Sequence, residues 1–200
     1  MHVRLKLVLS ACFAVPAGAA ATPTFDCTKT TVESIPDLVC RDEALTALDN
    51  TLAAVYGWAA EKAHYERAPT LKAEQGRWIK ALDECSKSAD RRACVEEAYR
   101  RRIAEVQARY RLVPANGPVV YVCNGEPRNE ISATFFLTDP PTLLAQRGGT
   151  VAVMYQEPSA SGARYVGRNE SFWEHQGEAS IQWGTGAPTM RCSRKPQEAR

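Results

Sequence analysis

Apolar residues recur at three- and four-residue intervals through the first half of the chain and at two-residue intervals through much of the second. Leu45, Leu48, Leu52 and Val55 form one stripe of a helix. Asp42, a short polar side chain just ahead of that stripe, suits the N-cap. Gly57 is tolerable but costly within a helix, and the segment is expected to end near Pro69. Leu71, Trp78, Leu82 and Cys85 mark a second helix, and Val95, Tyr99, Ile103, Val106 and Tyr110 a third. Upstream, Thr30-x-x-Glu33 resembles a capping box before Val32, Ile35 and Val39. Residues 24–112 therefore read as a small all-α hairpin or bundle.

The run Pro114-Ala-Asn-Gly-Pro118 breaks this pattern and is expected to be a linker. Beyond it, short strands are expected at 119–123, 131–137, 143–146, 151–155 and 179–183. Ile131, Ala133, Phe135 and Leu137 recur at every second position, as do Val151, Val153 and Tyr155. Arg147-Gly148-Gly149-Thr150 is a hairpin turn signal. Regular short strands separated by turns suggest a small barrel or sandwich. The expected organisation is a helical domain over 22–113, a linker at 114–118, a small antiparallel β-barrel over 119–195 and a flexible tail at 196–200.

The N-terminal sequence adds a compartment. Arg4 and Lys6 precede a short apolar run and an Ala-rich stretch, the pattern of a secretory signal over residues 1–21, too short to span a membrane. Leu9-Ser10-Ala11-Cys12 also reads as a lipobox, which would make Cys12 a lipidated anchor in the outer membrane. The apolar run between Lys6 and Cys12 falls short of the ~7–15 residues usual for a signal, which favours ordinary cleavage and a periplasmic protein over a membrane-anchored lipoprotein. Either route leaves Cys27, Cys40, Cys85, Cys94, Cys123 and Cys192, an even set in an exported chain and the mark of structural disulfides. Cys123 and Cys192 lie near the two ends of the second half and would close it. Four cysteines in the helical half allow three connectivities. If the helix from about 42 and the helix ending near 85 run antiparallel, Cys40 lies beside Cys85 and Cys27 near Cys94, and this nested pairing is the expectation.

Charge points away from nucleic acid. Arg4 and Lys6 account for the whole excess of 25 basic over 23 acidic residues, so the exported chain is balanced. A neutral domain draws neither nucleic acid nor an anionic membrane by its bulk field. Arg100, Arg101 and Arg102 sit among Glu96, Glu97 and Glu105, the composition of an exposed, salt-bridged helix face.

Candidate chemistry is sparse. The chain has no Gly-x-Ser-x-Gly, no His-Glu-x-x-His and no glycine-rich phosphate loop, and the cysteine spacings do not suit zinc. No metal, cofactor or catalytic residue is expected, and the protein does not read as an enzyme. Once His2 leaves with the signal, His64 and His175 remain; His64, among Lys62, Tyr65 and Glu66, reads as a solvated helix residue. Glu170, Glu174 and Glu178 read as solvated turn carboxylates rather than a glycosidase pair.

A family likeness gives the second half its meaning. YVCNG at 121–125, SASGARY at 159–165, FWEHQGEA at 172–179 and Cys192 occur in that order, and together they resemble the MliC/PliC inhibitors of C-type lysozymes. FDC at 25–27, VCRDEALTALDNTL at 39–52, and Trp78, Cys85, Cys94, Tyr99 and Arg102-Ile103 make the helical half similar to the LprI-like lysozyme inhibitor domain. The first resemblance implies an eight-stranded antiparallel barrel whose 159–165 loop enters the lysozyme cleft and meets its catalytic carboxylates. The family's contacting serine matches Ser161. Its contacting lysine falls on His175, the tyrosine before that lysine on Glu170, and the glycine after it on Gln176, all three departures.

The residue chemistry agrees with that role for Ser161. A hydroxyl donates to a carboxylate, and the small neighbours Ala160, Gly162 and Ala163 let a loop enter a narrow cleft. The opposing reading is a turn serine bonded to its own backbone. His175 replaces an ammonium with an imidazole that carries its charge only when protonated, near a pKa of ~6.5 in a free side chain. Arg164 and Tyr165 are expected to shape the loop or its rim, Ser159 to belong to it, and Trp173 to pack in the barrel. Glu170 is expected near the acidic catalytic groups. The expected function is an exported C-type lysozyme inhibitor that protects peptidoglycan. The alternative is a non-inhibitory envelope scaffold that uses the helical domain as its binding module.

Overall fold

A computed structural model describes residues 23–63 and 67–196; the signal segment with Cys12, His64, and the tail from 197 on lie outside the described residues. Four helices come first: α1 (Ile35–Arg41), α2 (Glu43–Lys62), α3 (Ala68–Leu82) and α4 (Arg91–Arg109). Eight strands follow: β1 (Ala115–Cys123), β2 (Glu130–Phe136), β3 (Thr142–Arg147), β4 (Thr150–Glu157), β5 (Ala163–Val166), β6 (Glu170–His175), β7 (Glu178–Trp183) and β8 (Met190–Arg194).

Short polar residues set three helix starts. Asp42 accepts from the amides of Ala44 and Leu45 at 2.9 and 3.1 Å, as its position predicts. Asp90 caps α4 through Ala93 N at 2.9 Å. The cap of α1 is Ser34, which accepts from Asp37 N at 3.2 Å, and not Thr30. Pro36 in the first turn fixes the start there, because a proline there forfeits no intrahelical bond. The Thr30 hydroxyl instead donates to Cys27 O, and Glu33 takes φ 65 just ahead of the cap.

The predicted stripes meet in one core. Leu45, Leu52 and Val55 of α2 are buried with Val95, Tyr99, Ile103 and Val106 of α4, and Trp78 of α3 packs edge-on to Tyr99 at 5.0 Å. Because α2 lies chiefly against α4 rather than α3, the antiparallel α2–α3 pair that the nested disulfides required is not the main packing. The bridges are local instead, Cys27–Cys40 and Cys85–Cys94, correcting the expected Cys27–Cys94 and Cys40–Cys85. The first staples the N-terminal segment to α1, and the second staples the turn after α3 to the start of α4.

The strands run antiparallel in chain order and close β1 on β8. Cys123 and Cys192 face each other in that closing pair and form the third disulfide. Tyr121, Ile131, Leu143, Met154, Phe172 and Ile181 fill the interior. Residues 115–118, expected in the linker, belong to β1, where Ala115 and Asn116 pair with Phe136 and Phe135. The strand accommodates Gly117-Pro118 because the register shifts between Asn116 and Val119, and an irregularity of this kind tolerates a proline that a regular ladder does not.

Helix α4 docks on the barrel over β3 and β4. The Arg100 guanidinium reaches the Asp139 carboxylate at 2.6 Å, Tyr155 donates its hydroxyl to Arg101 O at 3.2 Å, and the Arg101 guanidinium sits 5.1 Å from the Tyr155 ring centre. Burial, with the Glu105 charge adding, pushes the Tyr155 phenol well up, so it remains a donor. In a barrel ordered as the chain, β3 and β4 lie across from β7 and β8. The helices therefore leave the β6–β8 side uncovered.

Candidate functional site

Residues 158–162 connect β4 to β5 and are exposed throughout. Two hydrogen bonds converge on one carbonyl of this loop: Ser159 Oγ donates to Ser161 O at 2.6 Å, and Trp173 Nε1 donates to the same oxygen at 2.9 Å. The backbone-bonded turn serine is thus Ser159. The Ser161 hydroxyl has no hydrogen-bond partner among the described residues.

Gly162 explains why the loop holds its position. Its φ is +66, and a Cβ there would collide with Glu174 O on β6 and lie 3.1 Å from His175 Cβ. Only a glycine lets the loop backbone press on β6 at this point. The same contact sets Ser161 and His175 at the edge of one groove.

That groove, of ≈ 430 Å³, lies on the outer face of the barrel and is lined by Ser161, Trp173, His175, Glu178, Arg191 and Ser193. Strand register assembles it. His175 pairs with Glu178 and Glu178 with Ser193, while Trp173 pairs with Ser180 and Ser180 with Arg191. A two-residue turn joins β6 to β7, with Gln176 at φ 55 and Gly177 at φ 85, the left-handed pair of a type I′ hairpin. Gly177 N donates to Glu174 Oε1 at 2.9 Å and ties the turn down. Gln176, which stands where the resembling family has a glycine, accepts the strained φ itself.

Of the six residues expected to contact lysozyme, Ser161 and His175 line the groove, Ser159 bonds within the loop, and Gly162 presses it on β6. Arg164 pairs across from Trp173 on the exposed outer face, just outside the groove lining. Tyr165 does not form a rim. It points inward, 7 % exposed, with its ring 5.6 Å from that of Phe135. Burial, assisted by the Glu174 charge, pushes its phenol up and keeps it neutral.

Two expectations change places. Trp173 is 46 % exposed and walls the groove instead of packing in the barrel, while its neighbour Phe172 is fully buried. Adjacent residues of a strand face opposite sides, so only one of Phe172 and Trp173 can enter the core. Glu170 begins β6 while His175 ends it, about 17 Å apart at the usual rise of a strand, so Glu170 is not beside the loop tip. Its carboxylate accepts from Asn169 N at 3.1 Å in the β5–β6 turn.

Strand pairing reveals Glu178, Arg191 and Ser193 as further groove residues. Their signal was the alternation on β7 and β8, legible only once register was known. Arg191 enters no ion pair among the described residues; its backbone is pinned by Asn124, whose side chain accepts from Arg191 N at 3.2 Å. A hydroxyl, an imidazole and a guanidinium therefore border one concavity together with the Glu178 carboxylate, three potential donors to one acidic group. No cluster of three metal-ligating side chains occurs among the described residues, and no described helix is long and apolar enough to cross a membrane.

Comparison with known proteins agrees with this architecture. Residues 121–190 match the family described as membrane-bound lysozyme-inhibitor of c-type lysozyme, MliC. The lipoprotein LprI of Mycobacterium bovis is 35 % identical over 192 residues, covering 94 % of this chain and 95 % of the relative. LprI of Mycobacterium tuberculosis matches to the same extent. No solved structure matches. The chain belongs to the LprI family, with an MliC-type lysozyme-inhibitor domain as its barrel.

Proposed function

We propose that this protein inhibits C-type lysozyme by inserting the 159–165 loop into the enzyme's active-site cleft, with the Ser161 hydroxyl donating to a catalytic carboxylate. The observation that carries the reading is the state of Ser161. Its carbonyl is held by two donors while its hydroxyl is left without an internal partner, on a loop fixed by Gly162 against β6. The His175 imidazole supplies the second contact, and Arg191 strengthens the attraction to the carboxylates. Helix α4 occupies the opposite side of the barrel, so the helical domain leaves the groove open to the enzyme.

The protein acts by binding and performs no catalysis. Three disulfides and membership of a family whose mycobacterial relatives are named lipoproteins support a place in the cell envelope, facing the periplasm, where it protects peptidoglycan. Replacing Ser161 by Ala tests the contact. A charge-assisted hydrogen bond contributes ~1.5–3 kcal/mol, so the inhibition constant of the full chain should rise by about 10- to 150-fold with the melting temperature unchanged. An unchanged inhibition constant for a folded Ser161→Ala protein would remove Ser161 from the interface.

A further inference from the structure

The helical half holds a second concavity, which shares no lining residue with the barrel groove. Phe25, Ile35, Leu52, Tyr56, Trp78 and Ile79 wall a groove of ≈ 520 Å³. That volume is in the range of small-molecule sites, which are typically apolar with a few placed polar groups. Here the placed groups are acidic. Asp49 and Asp83 line the groove beside Gln75 and Tyr99, and no lysine, arginine or histidine among the described residues lines it.

Asp49 is the telling residue. It is only 8 % exposed, yet among the described residues it meets neutral donors alone: Tyr99 OH at 3.0 Å on Oδ1 and Thr24 N at 2.7 Å on Oδ2. No ion pair to it occurs among the described residues. Two hydrogen bonds leave about two acceptor positions of a carboxylate unused and its charge uncompensated. A buried charge without a counter-charge is costly, and such groups are ordinarily paired. Burial, with the Asp49 charge adding, pushes the Tyr99 phenol up, so Tyr99 stays a neutral donor and brings no counter-charge.

An acidic ligand would add a like charge to this site, and a neutral one would leave Asp49 as it is. A cation bound to an apolar body satisfies both the carboxylate and the walls, and Trp78, Tyr56 and Tyr99 supply aromatic faces that favour cations. From this we infer that the groove binds a small amphiphilic organic cation, an ammonium or guanidinium on a hydrocarbon body, with its head at Asp49 and its body along Leu52, Tyr56 and Trp78. No residue of the barrel groove takes part, so this site stands or falls separately from lysozyme inhibition.

Calorimetric titration of the full chain with n-octylammonium, octan-1-ol and octanoate tests it, with the Trp78 indole N–H resonance reporting the location. Octylammonium should bind about tenfold or more tighter than octanol, octanoate should bind weakest, and the Trp78 resonance should shift. Asp49→Asn should erase the advantage of the ammonium while leaving octanol binding unchanged. Ile79, half-exposed on the groove wall, permits a second variant that spares the Asp49 hydrogen bonds: Ile79→Lys places an internal cation at the site and should weaken octylammonium by about tenfold. Equal affinities for octanol and octylammonium would overturn the inference. So would binding that leaves the Trp78 resonance unmoved, or an ammonium preference that survives both substitutions.

Discussion

Gly162→Ala is the substitution on which the geometry of the site makes its sharpest demand. The residue has φ +66, where an L side chain costs ~1–2 kcal/mol, and the new Cβ would run into Glu174 O, a backbone atom of β6 that has no rotamer to give way. Overpacking of that kind costs ~1–3 kcal/mol. The total is about 2–5 kcal/mol. If the lower figure fell wholly on folding of the barrel, the melting temperature would drop by about 8–16 °C. If the loop moved instead, the Trp173 indole would lose Ser161 O, and Ser161 would leave the edge of the groove. Gly149→Ala is the matched control, because a Cβ there meets nothing within 4 Å and its φ is not in the left-handed region. Thermal unfolding and lysozyme inhibition are measured on both proteins. The expected result is a loss of inhibition for Gly162→Ala with a lower melting temperature or an altered Trp173 environment, and no change for Gly149→Ala. A Gly162→Ala protein that melts and inhibits like the parent would refute the claim that this glycine fixes the loop.

Other predictions follow from the same structure. His175→Gln should raise the inhibition constant by about tenfold or more, the loss expected for a hydrogen bond of ~1.5–3 kcal/mol to a carboxylate, and an unchanged constant would remove His175 from the interface. Asp42→Ala should destabilise the helical half by about 1 kcal/mol at neutral pH through the lost cap. The Leu45 amide, with Arg92 and the Ala44 amide adding, holds the Asp42 carboxyl below its usual range. Its contribution is therefore complete above the unfolded value of ~3.9 and fades as pH falls through the lower folded value, so denaturation curves of the variant and parent should converge in acid. Non-reducing peptide mapping should recover Cys27 linked to Cys40 and Cys85 linked to Cys94; a Cys27–Cys94 peptide would contradict the fold. Each of these short loops stabilises by about 3 kcal/mol in the chain-entropy description, to be read from unfolding of the paired Cys→Ser variants.

The helical half was legible because its signal is local. Spaced apolar residues such as Leu45, Leu52 and Val55 and the cap at Asp42 are properties of one segment. Disulfide pairing is not, because it depends on which helices touch, and α2 chose α4 over α3. In the barrel, the strands with clean alternation were readable, whereas β5 and β8 are short, and β5 and β6 carry mixed pairs such as Arg164-Tyr165 and Phe172-Trp173. The residue types around Ser161 announced the loop, but its neighbours across the groove come from β7 and β8. Glu178, Arg191 and Ser193 join the site through register, which no single segment encodes. The exposed position of Trp173 was open to inference from Phe172 beside it, since a strand can bury only one of the two.

If the 159–165 loop occupies the lysozyme cleft, a ligand already bound in that cleft must compete with it. Binding of the full chain to a C-type lysozyme is measured while an N-acetylglucosamine oligomer that fills the active-site cleft is titrated in. Cleft insertion requires mutual exclusion, with the apparent dissociation constant rising in proportion to oligomer concentration above saturation. An apparent constant that stays fixed while the cleft is filled would show that the two bind together, and the cleft-insertion mechanism would be wrong.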